Sequence, residues 1–461
     1  MEVTNVDQLE EQQWVIDSIF EANKTPPPQS TAKIHTISEM IRESTDEYQK
    51  FYLPKVVSIG PYHFGEPKLE FVEKLKPVFT LKLLAGNNML EKLNSLYEKL
   101  GAPEIVQELR SFYEENSTSK LSNKEFTKMM LLDSCFILYY IQSIFGQNVE
   151  DCGELNSHQI VYLHQDLFLL ENQIPFDVLT EVMKLTEINC VDKFKQFICG
   201  NILAGKPKKR WLKSILHIRN NQSSKDEQYL ELKDADHLLR LLHRTLTENA
   251  DIPRKDGISQ CTFRNVNELM DVGIHFKPSE TMSLAHIKYL QGWLWFTADV
   301  ELPPITVDDS TKPLLLNLIA YETCTRDASK AWVTSYICLL DSLIDHPEDV
   351  KALRKAGVLE NSLGSDNEVV KLFNEIGTDL VPNSLAYLDA KTKIQKHYKS
   401  WSNTLISQLK HEYVKSPWAF LALLGALIAL GLSVVQTYYS VWSPKSDCDE
   451  LCKFLKINHH L

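Results

Sequence analysis

Apolar positions recur at helical spacing along most of the chain, and the longest such segment predicts a helix over 122–146. Ser122 and Glu125 form a capping box, and Gly146 supplies the C-terminal stop. Phe126, Met129, Met130, Phe136, Ile137, Tyr140, Ile141 and Ile144 place apolar side chains on nearly every face, so this helix is expected to be central. Asp133 falls inside that apolar surround. A buried carboxylate must be paired or protonated, and the expectation is a structural link to a backbone or base rather than catalysis. In the segment 166–177, Pro175 breaks one helical pattern and suits the first turn of the next. Alternation of period two is confined to 283–307, where 283–290 and 293–302 flank Gln291-Gly292 as a hairpin would, and 305–307 reads as a further short strand. Helical spacing returns over 313–324 and 331–344. Pro347 opens another segment that Gly357 closes, and Ser365 with Glu368 makes a second capping box before Val369, Leu372, Phe373 and Ile376. The expected fold class is mainly α: a helical globular body with a small antiparallel β-hairpin, plus one C-terminal transmembrane helix.

That last element is the stretch 417–435, PWAFLALLGALIALGLSVV, 19 residues without a charge. At 1.5 Å per residue it spans roughly 28 Å, close to the ~30 Å hydrocarbon core. Its Phe, Leu, Ile and Val residues favour insertion by roughly −3 to −6 kcal/mol in sum. Trp418 marks one edge, and Tyr438, Tyr439 and Trp442 mark the other, where amphipathic rings prefer the headgroup level. With 26 residues after Val435, a tail-anchored topology with the bulk of the chain in the cytosol is the simplest expectation. Lysine counts leave orientation open, since Lys399, Lys410 and Lys415 match Lys445, Lys453 and Lys456. Gly425, Ala429 and Ser433 recur every fourth residue as a candidate face for self-association, although small residues are common in single spans.

The organisation follows. Residues 1–32 read as a mobile arm, whose short amphipathic helix (Trp14, Ile16, Ile19, Phe20) is stopped by Pro26-Pro27-Pro28. Residues 33–410 form the body, with a basic insert at about 204–256; 417–435 is the span and 436–461 a short tail. A net charge of −12 argues against a general nucleic-acid binder. The basic run Lys206, Lys208, Lys209, Arg210, Lys213 and Arg219 reads as a solvated loop and helix face. Nine scattered cysteines fit a reducing compartment, and the acidic start (Glu2, Asp7, Glu10, Glu11) is unlike a secretory signal.

Catalytic and metal motifs do not accumulate. Residues 200–206 fit half of a phosphate loop, but Pro207 replaces the hydroxyl residue that would hold magnesium. The sequence holds no G-x-S-x-G elbow and no H-E-x-x-H pair. Cys448 and Cys452 with His459 and His460 read as free thiols or a disulfide rather than a zinc site. No catalytic residue, cofactor or metal is assigned.

The order of several motifs resembles the plant family called domain of unknown function 247. They are Tyr52-Leu-Pro-Lys-Val-Val-Ser-Ile-Gly-Pro-Tyr-His63, Met129-Met-Leu-Leu-Asp-Ser-Cys-Phe136, the segment 166–175 and Asn317-Leu-Ile-Ala-Tyr-Glu322. Asp349-Val350, Gly364-Ser-Asp366 and Ser416-Pro-Trp418 before the terminal apolar helix complete the set, and the likeness covers about 33–440. Where the family usually has a double histidine before glycine, this chain has His63-Phe64-Gly65, which weakens a metal reading there. The resemblance implies a plant single-pass membrane protein without an assigned biochemical activity, in a family some of whose grass members resemble self-incompatibility determinants. The expectation is therefore a non-enzymatic, membrane-tethered module that recognises a protein partner. The rival is a membrane-bound enzyme whose site is assembled from distant residues, with Asp133, His63 and Glu171 as first suspects.

Overall fold

The computed structural model describes residues 32–43, 45–86, 88–144, 154–186, 235–248, 264–293, 296–325, 330–400, 417–442 and 452–456, together with 14, 17, 20, 193, 194 and 196–198. Most of the N-terminal arm, the stretch 200–206, the basic run 206–219, most of the basic insert, and Cys448, His459 and His460 lie outside them. The described chain is mostly helical with two small sheets, in agreement with the periodicity of the sequence. It divides into two compact units, the first comprising 1–260, 276–288 and 301–388, the second 261–275, 289–300 and 389–461.

The first unit opens with α1 (Glu39–Arg42) and α2 (Thr45–Phe51), followed by a largely buried irregular segment, 52–63. Then come α3 (Glu70–Leu83), α4 (Met89–Leu100), α5 (Pro103–Arg110), α6 (Glu115–Thr118) and α7 (Asn123–Ile144). The capping box of α7 forms: Ser122 N–H donates to Glu125 Oε2 at 2.9 Å, and Glu125 N–H donates back to Ser122 Oγ at 3.3 Å. The helix is central, as its all-round apolar pattern predicts. α3 packs along it, with α4 and α9 (Phe176–Thr186) on other sides, and Phe79 meets Phe136 at 5.5 Å between ring centres. Between α7 and α9 lies α8 (Ser157–Asp166), capped reciprocally by Asn156 and Gln159. Pro175 ends the irregular link to α9, in keeping with its fixed φ.

After α10 (Leu238–Leu246) and α11 (Val266–Asp271) come β1 (Ile274–Pro278), β2 (Lys288–Gln291) and β3 (Ala298–Leu302), in the sheet order β1-β3-β2. β2 and β3 are the expected hairpin, with shorter arms than alternation suggested; Gly292 N–H to Thr297 O, 2.9 Å, closes the turn. β1 was not legible. Its flanking bonds, Ala298 N–H to Gly273 O and Ser279 N–H to Leu302 O, advance the same way along both strands, so it lies parallel to β3. β4 (Ile305–Val307) does not extend this sheet. It pairs in parallel with β5 (Leu359–Asn361), Ile305 opposite Leu359.

The remaining helices are α12 (Thr311–Cys324), α13 (Trp332–Leu343), α14 (Pro347–Ala356), α15 (Asp366–Gly377), α16 (Leu388–Tyr398) and α17 (Pro417–Val441). Pro347 and Gly357 delimit α14 as predicted, with Gly357 at φ 76°. The second capping box is half made, because Ser365 Oγ accepts Glu368 N–H while the Glu368 carboxylate takes Gly364 N–H instead. α17 continues six residues past the expected 435. It is the one helix among the described residues long and apolar enough to cross a membrane, and its stretch Leu424–Val441 has no part buried against protein.

Candidate functional site

A buried loop carries backbone donors and acceptors that water cannot reach, and each needs a partner. The segment 52–63 is such a loop, and side chains from α3, α7 and the 166–173 region supply the partners. Asp166, the last residue of α8, accepts the N–H groups of Lys55, Val56 and Val57 at 2.7–3.0 Å. Asn172 accepts Ile59 N–H at 2.7 Å and donates to Val57 O and Asp166 O. Asp133 Oδ2 accepts Gly60 N–H at 2.8 Å, and Lys76 Nζ donates to Ser58 O at 2.6 Å. Every residue in this set is at least nine-tenths buried apart from Lys55 and Val56.

The set extends outward in two directions. Gln173 donates to Leu167 O and Leu169 O and accepts Leu239 N–H at the start of α10. Asn317 on α12 accepts Leu170 N–H at 2.9 Å and donates to Phe51 O, tying α2 to the same region. Glu322, one turn from the end of α12, accepts Val333 N–H and Thr334 N–H at the N-terminus of α13, both at 2.8 Å, and faces His243 Nε2 at 2.7 Å. A carboxylate there satisfies orphan amides and sits at the positive end of the helix dipole.

The three suspected residues fall in two places. Asp133 forms a buried ion pair with Lys76, 2.5 Å apart, and Glu73 also contacts the Lys76 ammonium. Burial pushes the Asp133 carboxyl up, against the pull of the Lys76 charge and of Gly60 N–H. Burial likewise raises Asp166 to about 6, opposed by its three amide donors. Glu171 and His63 come together elsewhere. Glu171 Oε1 accepts Ile37 N–H at 2.7 Å and pairs with Arg42, and Oε2 accepts the Tyr48 hydroxyl at 3.2 Å. His63 Nδ1 meets Glu66 Oε1 at 2.6 Å, while its buried Nε2 has no hydrogen bond and lies 3.8 Å from Glu171 Oε2. Burial, reinforced by the Glu171 charge, raises the Tyr48 phenol to about 12. A histidine oriented by a carboxylate is half of a general-base dyad. Here its free nitrogen faces a second carboxylate, which offers it no proton to abstract.

Sequence reasoning placed Asp133 in a link to a backbone or a base, and the structure shows one of each. It missed Lys76, Asp166, Asn172 and Asn317 as the members that fasten the loop. Among the described residues no group of three or more histidine, cysteine, aspartate or glutamate side chains is arranged to hold a metal. Cys135, Cys324, Cys338 and Cys452 form no disulfide among the described residues, and burial raises Cys324 to about 11, with Glu114 and Glu171 adding to the shift.

A mainly helical body, locked by side-chain links from the 129–136 and 166–173 motifs to the 52–63 loop and from Asn317 to Phe51 and Leu170, and carrying one apolar helix near its C-terminus, defines the class. The chain belongs to the family DUF247, described as plant protein of unknown function, whose family model matches residues 34–432. It is 27% identical over 431 residues to a UPF0481 protein of Arabidopsis thaliana, covering 86% of this chain and 84% of the relative. A putative UPF0481 protein of the same plant is 24% identical over 475 residues, covering 85% and 87%. No solved structure matches the chain significantly.

Proposed function

We propose that this chain is a membrane-tethered recognition module without catalytic chemistry, in which α17 crosses a bilayer once and the clamped helical body presents a surface to a protein partner. The observation that carries the reading is α17: 25 residues of helix, about 38 Å at 1.5 Å per residue, with an apolar window that no protein covers. Apolar surface gains about 25 cal/mol per Å² on leaving water, and lipid is the solvent matched to a helix of this length. Trp418 at one end and Tyr438, Tyr439 and Trp442 at the other are exposed where headgroups would lie.

Support for a non-catalytic body comes from the occupation of Asp133 and Glu171 by structural partners, and the net charge of −12 disfavours nucleic acid. The simplest topology is tail-anchored with the body in the cytosol. Gly425, Ala429 and Ser433 offer a face for pairing with a second copy, and a Cβ added at Gly425 would meet no atom within 4 Å.

Alkaline carbonate extraction of membranes carrying the full chain tests the tether: retention in the pellet is expected, and release to the supernatant would end it. Protease digestion of sealed microsomes tests the orientation, with a C-terminal tag expected to survive. Proximity labelling tests recognition by comparing the full chain with a protein carrying α17 alone; identical labelled sets would remove the recognition role. The enzymatic alternative has one observation in its favour, the buried His63 Nε2 that makes no hydrogen bond. A small molecule retained from plant extract by the full chain but not by His63→Gln would favour that alternative.

A further inference from the structure

We infer that Trp293, just past β2, is a second membrane contact, entering the headgroup layer of the bilayer that α17 crosses, with the exposed lysines of α16 facing anionic headgroups. The inference rests on the tether reading. Trp293 is 97% exposed, the largest exposure among the described large hydrophobic residues, and Leu290 beside it is exposed as well. A tryptophan in water forgoes its large apolar area, whereas in the headgroup layer the ring is covered and the indole N–H keeps a polar partner.

The backbone that carries Trp293 is held from both sides. Gly292 N–H and Gln291 Nε2 both donate to Thr297 O, at 2.9 and 3.0 Å. A Cβ at Gly292 would stand 2.2 Å from Thr297 Oγ1, so the backbone closes tightly just before Trp293.

Charge selects the occupant. α16 is fastened to the hairpin through His397, whose Nε2 donates to Val272 O and whose Nδ1 accepts the Tyr289 hydroxyl, both at 3.0 Å. On and just beyond that helix stand Lys391, Lys393, Lys396 and Lys399 against the single acid Asp389, a local reversal of the chain's −12. Lys393, Lys396 and Lys399 are exposed, although Lys393 also pairs with Asp389 at 2.8 Å. An exposed tryptophan on the hairpin to which a lysine-rich helix is fastened matches an anionic lipid surface. Only residues 399–416 separate α16 from α17. At full extension, about 3.3–3.6 Å per residue, they hold α16 within roughly 65 Å of the membrane entry point, which keeps this surface at a high effective concentration near lipid.

The test uses the full chain in nanodiscs of phosphatidylcholine with and without phosphatidylserine, carrying a photo-crosslinking amino acid at one of three positions. Position 430, inside α17, reports the tether; position 381, where Val381 is exposed in the first unit, is the control; position 293 reports the inference. Lipid adducts are expected from 430 and 293 and not from 381. Adducts from 293 should fall about five-fold without phosphatidylserine, or in the double variant Lys396→Glu/Lys399→Glu. Adducts from 430 with none from 293 would overturn the inference and leave the tether standing, and no adduct from 430 would overturn both. Equal yields from 293 and 381 would also overturn it, as would capture of protein from native microsomes by position 293 without any lipid adduct.

Discussion

The ammonium of Lys76 lies 2.5 Å from Asp133 Oδ1, with each side chain 1% exposed. All of its donor capacity is engaged, since Ser58 O and Glu73 take the rest. Removing one partner of such a pair strands a buried charge, so Lys76→Met is expected to destabilise the body by about 3–5 kcal/mol. The double variant Lys76→Met/Asp133→Leu strands no charge between the two. Both variants leave Ser58 O and Glu73 without their lysine; the double variant adds only an unpaired Gly60 N–H, at about 1–3 kcal/mol, and is expected to be more stable than the single variant. Denaturant midpoints of the full chain in detergent decide; a double variant weaker than Lys76→Met would contradict the pairing.

Asp166 ties stability to pH. Its carboxyl stands at about 6 in the folded chain against an ordinary 3.8. A raised folded-state value means that the native state binds the proton more tightly. The contribution is therefore complete below about pH 4 and lost as pH rises through 6, with a ceiling of roughly 3 kcal/mol for two units. Asp166→Asn cannot titrate there, and its amide would point a donor at backbone donors, at a cost of about 1–3 kcal/mol. The stability advantage of the native chain over Asp166→Asn is expected to grow between pH 7 and pH 4.5. An advantage that shrinks on acidification would show that the amide donors, rather than burial, dominate this carboxylate.

Much of this was legible, because α7 announces itself through its capping box and its apolar residues on every face, and α14 through Pro347 and Gly357. Asp133 was legible as a link for the same reason: a lone carboxylate in an apolar helix must meet something. Its partner was not. Lys76 is polar and precedes Pro77 inside the helix, and periodicity assigns such a residue to solvent, whereas the chain buries it under the 52–63 loop. β1 escaped because its strand neighbour lies about twenty residues on, across a parallel pairing that leaves no local turn signal. The loop itself has no period, and only its long-range acceptors, Asp166 and Asn172, make its burial tolerable.

Glu322 supports the start of α13 from a neighbouring helix. Besides two backbone amides it accepts the Thr334 hydroxyl at 2.6 Å, and Ala331, at the N-cap position, makes no side-chain cap. Glu322→Ala removes all of these at once and is expected to cost about 2–4 kcal/mol, more than an ordinary cap because the amides are buried. Glu322→Gln keeps one acceptor oxygen and should lose less. Hydrogen exchange at Val333 and Thr334 is the local readout, faster in the alanine variant; unchanged protection there would rule out the cap.

Gly60 and Gly65 separate backbone strain from packing. Both adopt positive φ, 77° and 83°, so alanine at either position forces an L-residue into the left-handed region, at about 1 kcal/mol. At Gly65 a Cβ would meet nothing within 4 Å, and that strain should be the whole cost. At Gly60 it would stand 2.5 Å from Gln173 O, a backbone atom of the segment that clamps the loop, and 3.3 Å from the Tyr113 hydroxyl that donates to the same carbonyl. Relief requires the loop and the 166–173 segment to part, which also stretches the Gly60 N–H bond to Asp133. Gly60→Ala is therefore expected to exceed Gly65→Ala by at least about 2 kcal/mol and to resemble Lys76→Met in its loss of protection across 55–60. Equal destabilisation by the two alanines, read from denaturant midpoints, would mean that the loop is not held against Gln173 as tightly as these distances require.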